Sequence, residues 1–416
     1  MIRARFLSVD KLPDLGLALR ALGFPQGAVD FLAGSLPQGH LLVSGLEAPA
    51  LELLRHLVAT VPGAPRILEG VRPGAVLVSG RLSEIKLLGM KLQERADVPQ
   101  AADGGGYVIR ACFHAGRFEP VEIGALRAGG GRALVMGIVN ATPDSFSDGG
   151  RFLDPKAALA HARALVEAGA DILDVGGEST RPKGLYGEGA QAVTAAEERA
   201  RVEPVVALLH RELPSVPISV DTSKAEVAEA AIQAGASMVN DVRGLADDAL
   251  ADVVRRHRVA CCLMHMPAEP DSMAEHTSYE DVVGEVAASL CDLVDRAEAR
   301  GVPPARLIVD PGLGFGKTYG QSLFLLRQLP LLVAAVGRPV LVGTSRKGFL
   351  GHVTGREVPD RDPATAGSVA AAIVNGASMV RVHDAAACRD AVLVADAVAR
   401  AEDGGAYFAA EDDGWV

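Results

Sequence analysis

Eight short runs rich in Val, Ile and Leu recur along the later part of the chain, at 134–140, 171–176, 218–222, 238–241, 261–265, 307–311, 340–345 and 379–384. Longer Ala-rich amphipathic segments separate them. Near-continuous apolar runs of this length read as strands covered on both faces, and their alternation with helices points to a parallel sheet. Eight such units within about 270 residues match the size of a (β/α)8 barrel. Helix punctuation agrees. Asp154-Pro155 and Asp362-Pro363 each read as an N-cap followed by Pro at the first helical position. Gly169, Gly235 and Gly376 each close a helix ahead of a strand. A doubly wound open sheet is the competing architecture, but it rarely needs eight units.

The region before the barrel carries weaker signals. Residues 40–46, 75–80 and 107–113 read as strands, and 48–61 and 82–96 as helices. The expectation is a small α/β accessory domain over 1–127 with no catalytic motif. The Gly-rich stretch 127–132 reads as a linker, 133–402 as the catalytic barrel, and 403–416 as an acidic tail ending in Glu411-Asp412-Asp413 and three further residues.

Composition narrows the partners. Aromatic residues are only 4% of the 416, so Ala, Val and Leu must fill the core. A net charge of -11 argues against nucleic acid, which wants a basic surface, while leaving room for local cations around a small anion. There is no apolar run of membrane-spanning length and no signal-like N-terminus. The five cysteines, at 112, 261, 262, 291 and 388, form no CxxC pair, and a cytoplasmic protein with Cys261-Cys262 in its core is expected.

In a barrel of this kind the chemistry sits at the C-terminal strand ends. Here those ends are polar throughout: Asn140, Asp174 followed by Glu178 to Arg181, Asp221, Asn240-Asp241, His265, Asp310, Ser345 to Lys347, and Arg381 with His383. Capping of the next helix does not account for eight polar ends with both signs of charge. Asp221 or Asp310 suits a pair of parallel N–H donors on an amidine-like ring edge. Asn240 can donate and accept at once. Arg181, Arg381 and Lys347 suit phosphate or carboxylate, and Arg also stacks on a flat ring. His383 can donate or carry a proton. Asn140 offers an amide oxygen suited to Mg²⁺ held mainly by substrate phosphate and water. A flat heterocycle and a diphosphate fit this mouth.

These residues resemble the dihydropteroate synthase family. Met136 to Asp148 is similar to its first signature and Gly176 to Pro182 to its second. Ile218 to Lys224, Val239 to Asp241, Asp310 to Lys317, Gly343 to Gly348 and Arg381 to His383 follow in family order, across about 134–401. The resemblance implies condensation of a dihydropterin pyrophosphate with p-aminobenzoate, releasing pyrophosphate, with Mg²⁺ as cofactor and a homodimer as the assembly. It implies that Asp221, Asn240, Asp310 and Lys347 hold the pterin edge, that Arg381 stacks on its face, and that Met264 and Phe315 are apolar walls. Asn140 would contact the metal-bound diphosphate, with Arg381 and His383 at its phosphates. Ser345 joins the substrate-binding set. Phe146, Ser147, Thr180, Arg181 and Pro182 would belong to two loops that close over p-aminobenzoate and pyrophosphate. Asp221, Lys347, Arg381, His383 and Arg181 form the expected catalytic set.

Blander readings compete at several positions. Gly312 to Thr318 is like a P-loop, but Pro311 stands where that pattern needs Gly. Asp144 and Asp148 can be turn formers, Glu178 can orient its loop, and His265 and Asp241 can tie strand ends together. Arg346 can hold the loop rather than substrate, and His210, His257 and His276 read as surface residues. Two related alternatives are a pterin-binding methyltransferase that passes a methyl group to a corrinoid, and a non-catalytic pterin-binding protein. The Thr-Ser-Arg-Lys347 and Ser-Thr-Arg-Pro182 segments favour the synthase. Residues 183–190 make the second loop longer than usual, and the first 125 or so residues are absent from the compact members of the family.

Overall fold

The computed structural model describes residues 3–7, 39–61, 65–69, 74–80, 82–98, 100–102, 104–106, 108, 120–141, 154–178, 193–268 and 272–400. Phe146, Ser147, Thr180, Arg181, Pro182, Asp144, Asp148, Cys112 and the acidic tail lie outside them. The chain falls into two compact units, one of 1–118 with 280–291 and 330–337, the other of 119–279, 292–329 and 338–416.

The first unit carries an antiparallel four-stranded sheet in the order β1 (Arg3–Leu7), β2 (Gly39–Ser44), β4 (Val76–Gly80), β3 (Arg66–Glu69). Helices α1 (Ala48–Thr60) and α2 (Leu82–Gln93) belong to the same unit. Leu41, Val43, Leu54, Val78, Ile85 and Leu88 form its core. The expected strand at 107–113 is corrected at the one position described there: Val108 is helical.

The second unit is the eight-stranded parallel barrel. Its strands are β7 (Leu134–Asn140), β8 (Ile172–Gly176), β9 (Ile218–Asp221), β10 (Met238–Asp241), β11 (Ala260–Met264), β12 (Leu307–Asp310), β13 (Leu341–Gly343) and β14 (Met379–Val382). They neighbour one another in sequence order, β14 pairs β7, and a single Val309–Val340 bridge closes the ring between β12 and β13. Helix α3 (Pro155–Glu167) begins as the sequence indicates, with the Asp154 side chain accepting from the Lys156 N–H at 3.0 Å and Pro155 at the first turn. Asp362 is different: it lies inside helix α11 (Asp362–Val374), whose N-cap is Arg361, because the Asp362 carboxylate is taken by Arg346. Gly169, Gly235 and Gly376 take positive φ just after their helices.

Strand parity decides what fills the barrel. Met136, Ile172, Met238, Cys262, Ile308, Leu341 and Met379 pack together inside as an apolar cluster. Side chains alternate along a strand, so residues two positions on face the same way. That rule puts Ile138, Asp174, Asn240, Met264, Asp310, Gly343 and Arg381 in the next layer towards the C-terminal ends, with Asp221 two after buried Ser219 on β9. The floor is covered by a hairpin of β5 (Val121–Ile123) and β6 (Leu126–Ala128), whose Val121, Ile123 and Ala128 join the same apolar cluster. Part of the stretch expected as a linker is therefore strand, because its apolar positions have a barrel end to bury against.

Candidate active site

The polar layer converges on Arg381. Its Nε donates to Asp174 Oδ2 at 2.7 Å and its Nη2 to Asp221 Oδ2 at 2.8 Å. Asn240 Nδ2 donates to the same Asp174 oxygen at 3.2 Å. Three adjacent strands and β14 are thus tied across the barrel mouth by one guanidinium and two carboxylates. Burial raises the Asp221 carboxyl to about 7; Arg381 opposes that rise and Asp174 reinforces it. Arg381 itself stays firmly charged, held up against burial by Asp174 and Asp221.

Opposite this knot, Asp310 ends β12 and accepts from the Gly312 N–H at 2.7 Å. Burial raises its carboxyl, while Lys347 and the Gly312 N–H pull the other way. Lys347 is the N-cap residue of helix α10 (Gly348–Thr354). Its Nζ donates to the Leu313 carbonyl and lies 4.9 Å from the centre of the Phe315 ring. Burial brings the Lys347 ammonium down to about 8, with Asp310 resisting and Arg381 adding to the fall. Met264, next to Asp310 in register, is buried. Ser345 Oγ accepts from the His383 N–H at 3.1 Å and lies 2.9 Å from His383 Nδ1, so these two are each other's partners. Asn140 ends β7 beside Gly176, part-buried and on the interior parity.

Several polar strand ends do scaffold work. Asp241 is fully buried and accepts from Ser223, from the Arg243 N–H at 2.9 Å and from the Leu245 N–H at 2.6 Å. Arg346, at φ +58°, turns away from Lys347 and makes a two-pronged pair with Asp362 at 2.9 Å on both prongs. Glu178 accepts from the Val193 N–H at 3.1 Å and, with buried Glu198, from Lys224. His210 and His276 are exposed, and His257 pairs with Glu229. Two groups escaped the expected site set. Asp174, named among the polar strand ends but given no substrate role, anchors Arg381 from within its strand. Lys317 sits inside a Gly-rich segment that invites a phosphate-loop reading, yet it is buried and donates to the carbonyls of Gly312 and Phe315.

Among the described residues no group of three or more His, Cys, Asp or Glu side chains is arranged to hold a metal ion.

Residues 136–383 match the pterin binding enzyme family. The dihydropteroate synthase of Synechocystis is 44% identical over 273 residues, 65% of this chain and 92% of that one. That of Mycobacterium leprae is 47% identical, over 63% of this chain and 92% of the relative. Among solved structures, Xanthomonas albilineans dihydropteroate synthase with 4-aminobenzoic acid shares 43% identity at a TM-score of 0.62, covering 68% of this chain and all of that one. The same enzyme in complex with 7,8-dihydropteroate gives 44% identity and a TM-score of 0.58 over 68% of this chain and 100% of that one.

Proposed function

We infer the reaction of this chain from the family to which it belongs, the dihydropteroate synthases among the pterin binding enzymes. It joins 6-hydroxymethyl-7,8-dihydropterin pyrophosphate to p-aminobenzoate, giving 7,8-dihydropteroate and pyrophosphate for folate synthesis. The observation that carries this reading is the polar layer of Asp221, Asn240, Asp310 and Arg381 directly above an apolar layer, with Lys347 over Phe315 at its edge.

Each side chain has a physical task. Asp310 and Asp221 accept ring N–H donors, Asn240 completes the edge, and Lys347 meets the ring oxygen or nitrogen beside it. Arg381, held flat by its two carboxylates, lies against the ring face, while Met264 and Phe315 close the apolar sides. The methylene C–O bond then breaks, and its electron pair leaves with the diphosphate. The pterin ring spreads the developing positive charge, and the buried carboxylates favour it electrostatically. The aryl amine nitrogen supplies the lone pair of the new C–N bond and releases a proton afterwards, so no strong general base is required. Phe146, Ser147, Thr180, Arg181 and Pro182 serve the arylamine and diphosphate side and limit access of water.

Magnesium fits the donor chemistry: one amide oxygen at Asn140 suits an ion held mostly by diphosphate oxygens and water. When bound it neutralises the leaving group. His383, carried by Ser345, and Arg381 add positive charge on that side. A cytoplasmic homodimer is the proposed state. Exposed Val353, Val374, Leu393, Val394 and Val398 on helices α10, α11 and α12 (Ala385–Arg400) supply apolar surface for it. No single described helix is long and apolar enough to cross a membrane. Residues 1–118 are proposed as an accessory domain outside the chemistry, whereas 121–128, expected to belong to it or to a linker, close the floor of the barrel.

The test is pyrophosphate release by the purified full chain from dihydropterin pyrophosphate and magnesium, with and without p-aminobenzoate. Release dependent on the arylamine is expected. No release from folded protein would overturn the assignment.

A further inference from the structure

Asp174 is a full carboxylate in the middle of an apolar strand, and it is completely buried. Its Oδ2 takes both the Arg381 Nε hydrogen at 2.7 Å and an Asn240 amide hydrogen at 3.2 Å, while its Oδ1 has no hydrogen-bond partner among the described residues. Burying a carboxylate with one idle oxygen is costly. Packing alone would be met by an apolar residue, as at Ile172 one layer below.

What the carboxylate does that an apolar residue cannot is choose an orientation. The two ends of an Asn side chain have nearly the same shape, so its partners decide which way it faces. An anionic acceptor on one side admits only the amide nitrogen, because the carbonyl oxygen would meet another lone pair. The Asn240 oxygen is thereby turned away from Asp174. A ring N–H arriving at that oxygen finds an acceptor; a ring carbonyl or bare ring nitrogen does not. We propose that Asp174 is a positioning residue that locks the Asn240 amide and so sets which pattern of pteridine edge donors the site accepts. The proposal rests on the pterin reading above.

The experiment titrates the full-length protein calorimetrically with 7,8-dihydropterin, pterin and lumazine. The first pair differs at N8, an N–H in one and a bare nitrogen in the other. Pterin and lumazine differ by an exocyclic amine against an oxo group. Asp174→Asn keeps the shape but allows either amide orientation at Asn240. At least one of the two affinity ratios is expected to shrink by about ten-fold. Asp174→Ser, which keeps an uncharged acceptor, should relax the same ratio and serves if the first variant folds poorly. Equal weakening of all three ligands, with both ratios unchanged, would mean that Asp174 only supports the barrel, and would overturn the proposal while leaving the pterin reading intact. A wild-type protein that binds none of the three overturns both.

Discussion

Lys317 Nζ lies 2.8 Å from His265 Nδ1, in a site where both residues are buried. The ammonium also donates to the Gly312 carbonyl at 3.0 Å and the Phe315 carbonyl at 2.9 Å, so it staples the loop that follows β12 onto the end of β11. Burial, with Lys317 nearby, holds the His265 ring well below its ordinary range, which leaves Nδ1 free to accept. Burial likewise brings Lys317 down to about 7, against the pull of Asp310.

The first prediction concerns Lys317→Met. Removing the ammonium strands two inward carbonyls, which costs about 1–3 kcal/mol each when unmet. The pH dependence is the sharper signature. The folded-state value of Lys317 lies below that of the unfolded chain, so between the two the unfolded chain binds the extra proton. The contribution of this group to stability therefore rises with pH, from about 7 towards the ordinary lysine range. Denaturant unfolding should show the gap between wild type and variant widening in favour of wild type as pH rises above neutrality. A gap that stays constant with pH would contradict the argument.

Activity should follow a narrow bell in pH. Asp221 is pushed up to about 7 and Lys347 brought down to about 8. If the working site needs Asp221 ionised and Lys347 charged, kcat/KM rises through the first value and falls through the second. Asp221→Asn should lower the plateau and remove the acid limb. Lys347→Arg, which stays charged throughout, should remove the alkaline limb while losing part of the rate to altered geometry. Profiles of the three proteins, taken with saturating magnesium, check this; an alkaline limb that survives in Lys347→Arg would assign it elsewhere.

The barrel was legible because the apolar run recurs eight times between amphipathic segments, and parity then carries the polar strand ends inward as a set. Asp221, Asn240, Asp310 and Arg381 could be named for the same reason: each is the polar residue where an apolar strand stops. Asp174 was harder, since nothing in Ile-Leu-Asp-Val-Gly states that its partner stands 207 positions away. The Asp362 cap failed because a local signal, Asp before Pro, lost to a long-range one, the Arg346 fork. The 121–128 hairpin went unread because three-residue strands are too short for periodicity to show.

Gly312 is a position where backbone geometry leaves no room. Its φ is +64°, and a Cβ added there would fall 2.1 Å from the His265 carbonyl oxygen. Gly312→Ala therefore combines left-handed strain with a clash against main chain, and the backbone beside Asp310 must move. The expected loss is about 2 kcal/mol or more of stability, together with at least ten-fold weaker pterin binding. Thermal melting and calorimetry on the same sample separate the two effects. A variant that melts like wild type and binds normally would show that the loop yields without consequence.

Lys224 bridges two carboxylates with different surroundings. Glu198 is 1% exposed, whereas Glu178 is part-exposed and also accepts from the Val193 N–H. Lys224→Met leaves the Glu198 carboxylate buried without its cation, and breaking a buried pair from one side costs about 3 kcal/mol. Lys224→Arg restores the charge and should recover most of that loss. Glu198→Gln combined with Lys224→Met removes the buried unpaired charge and should be more stable than Lys224→Met alone, so the double mutant loses less stability than the sum of the two single losses. Glu178 and Val193 stand at the two ends of the segment holding Thr180, Arg181 and Pro182. The same substitution should therefore raise the KM for p-aminobenzoate by several-fold while leaving the affinity for 7,8-dihydropterin unchanged, measured in one preparation by steady-state kinetics and calorimetry. Equal losses towards both substrates would show that the cluster supports the barrel as a whole rather than that segment.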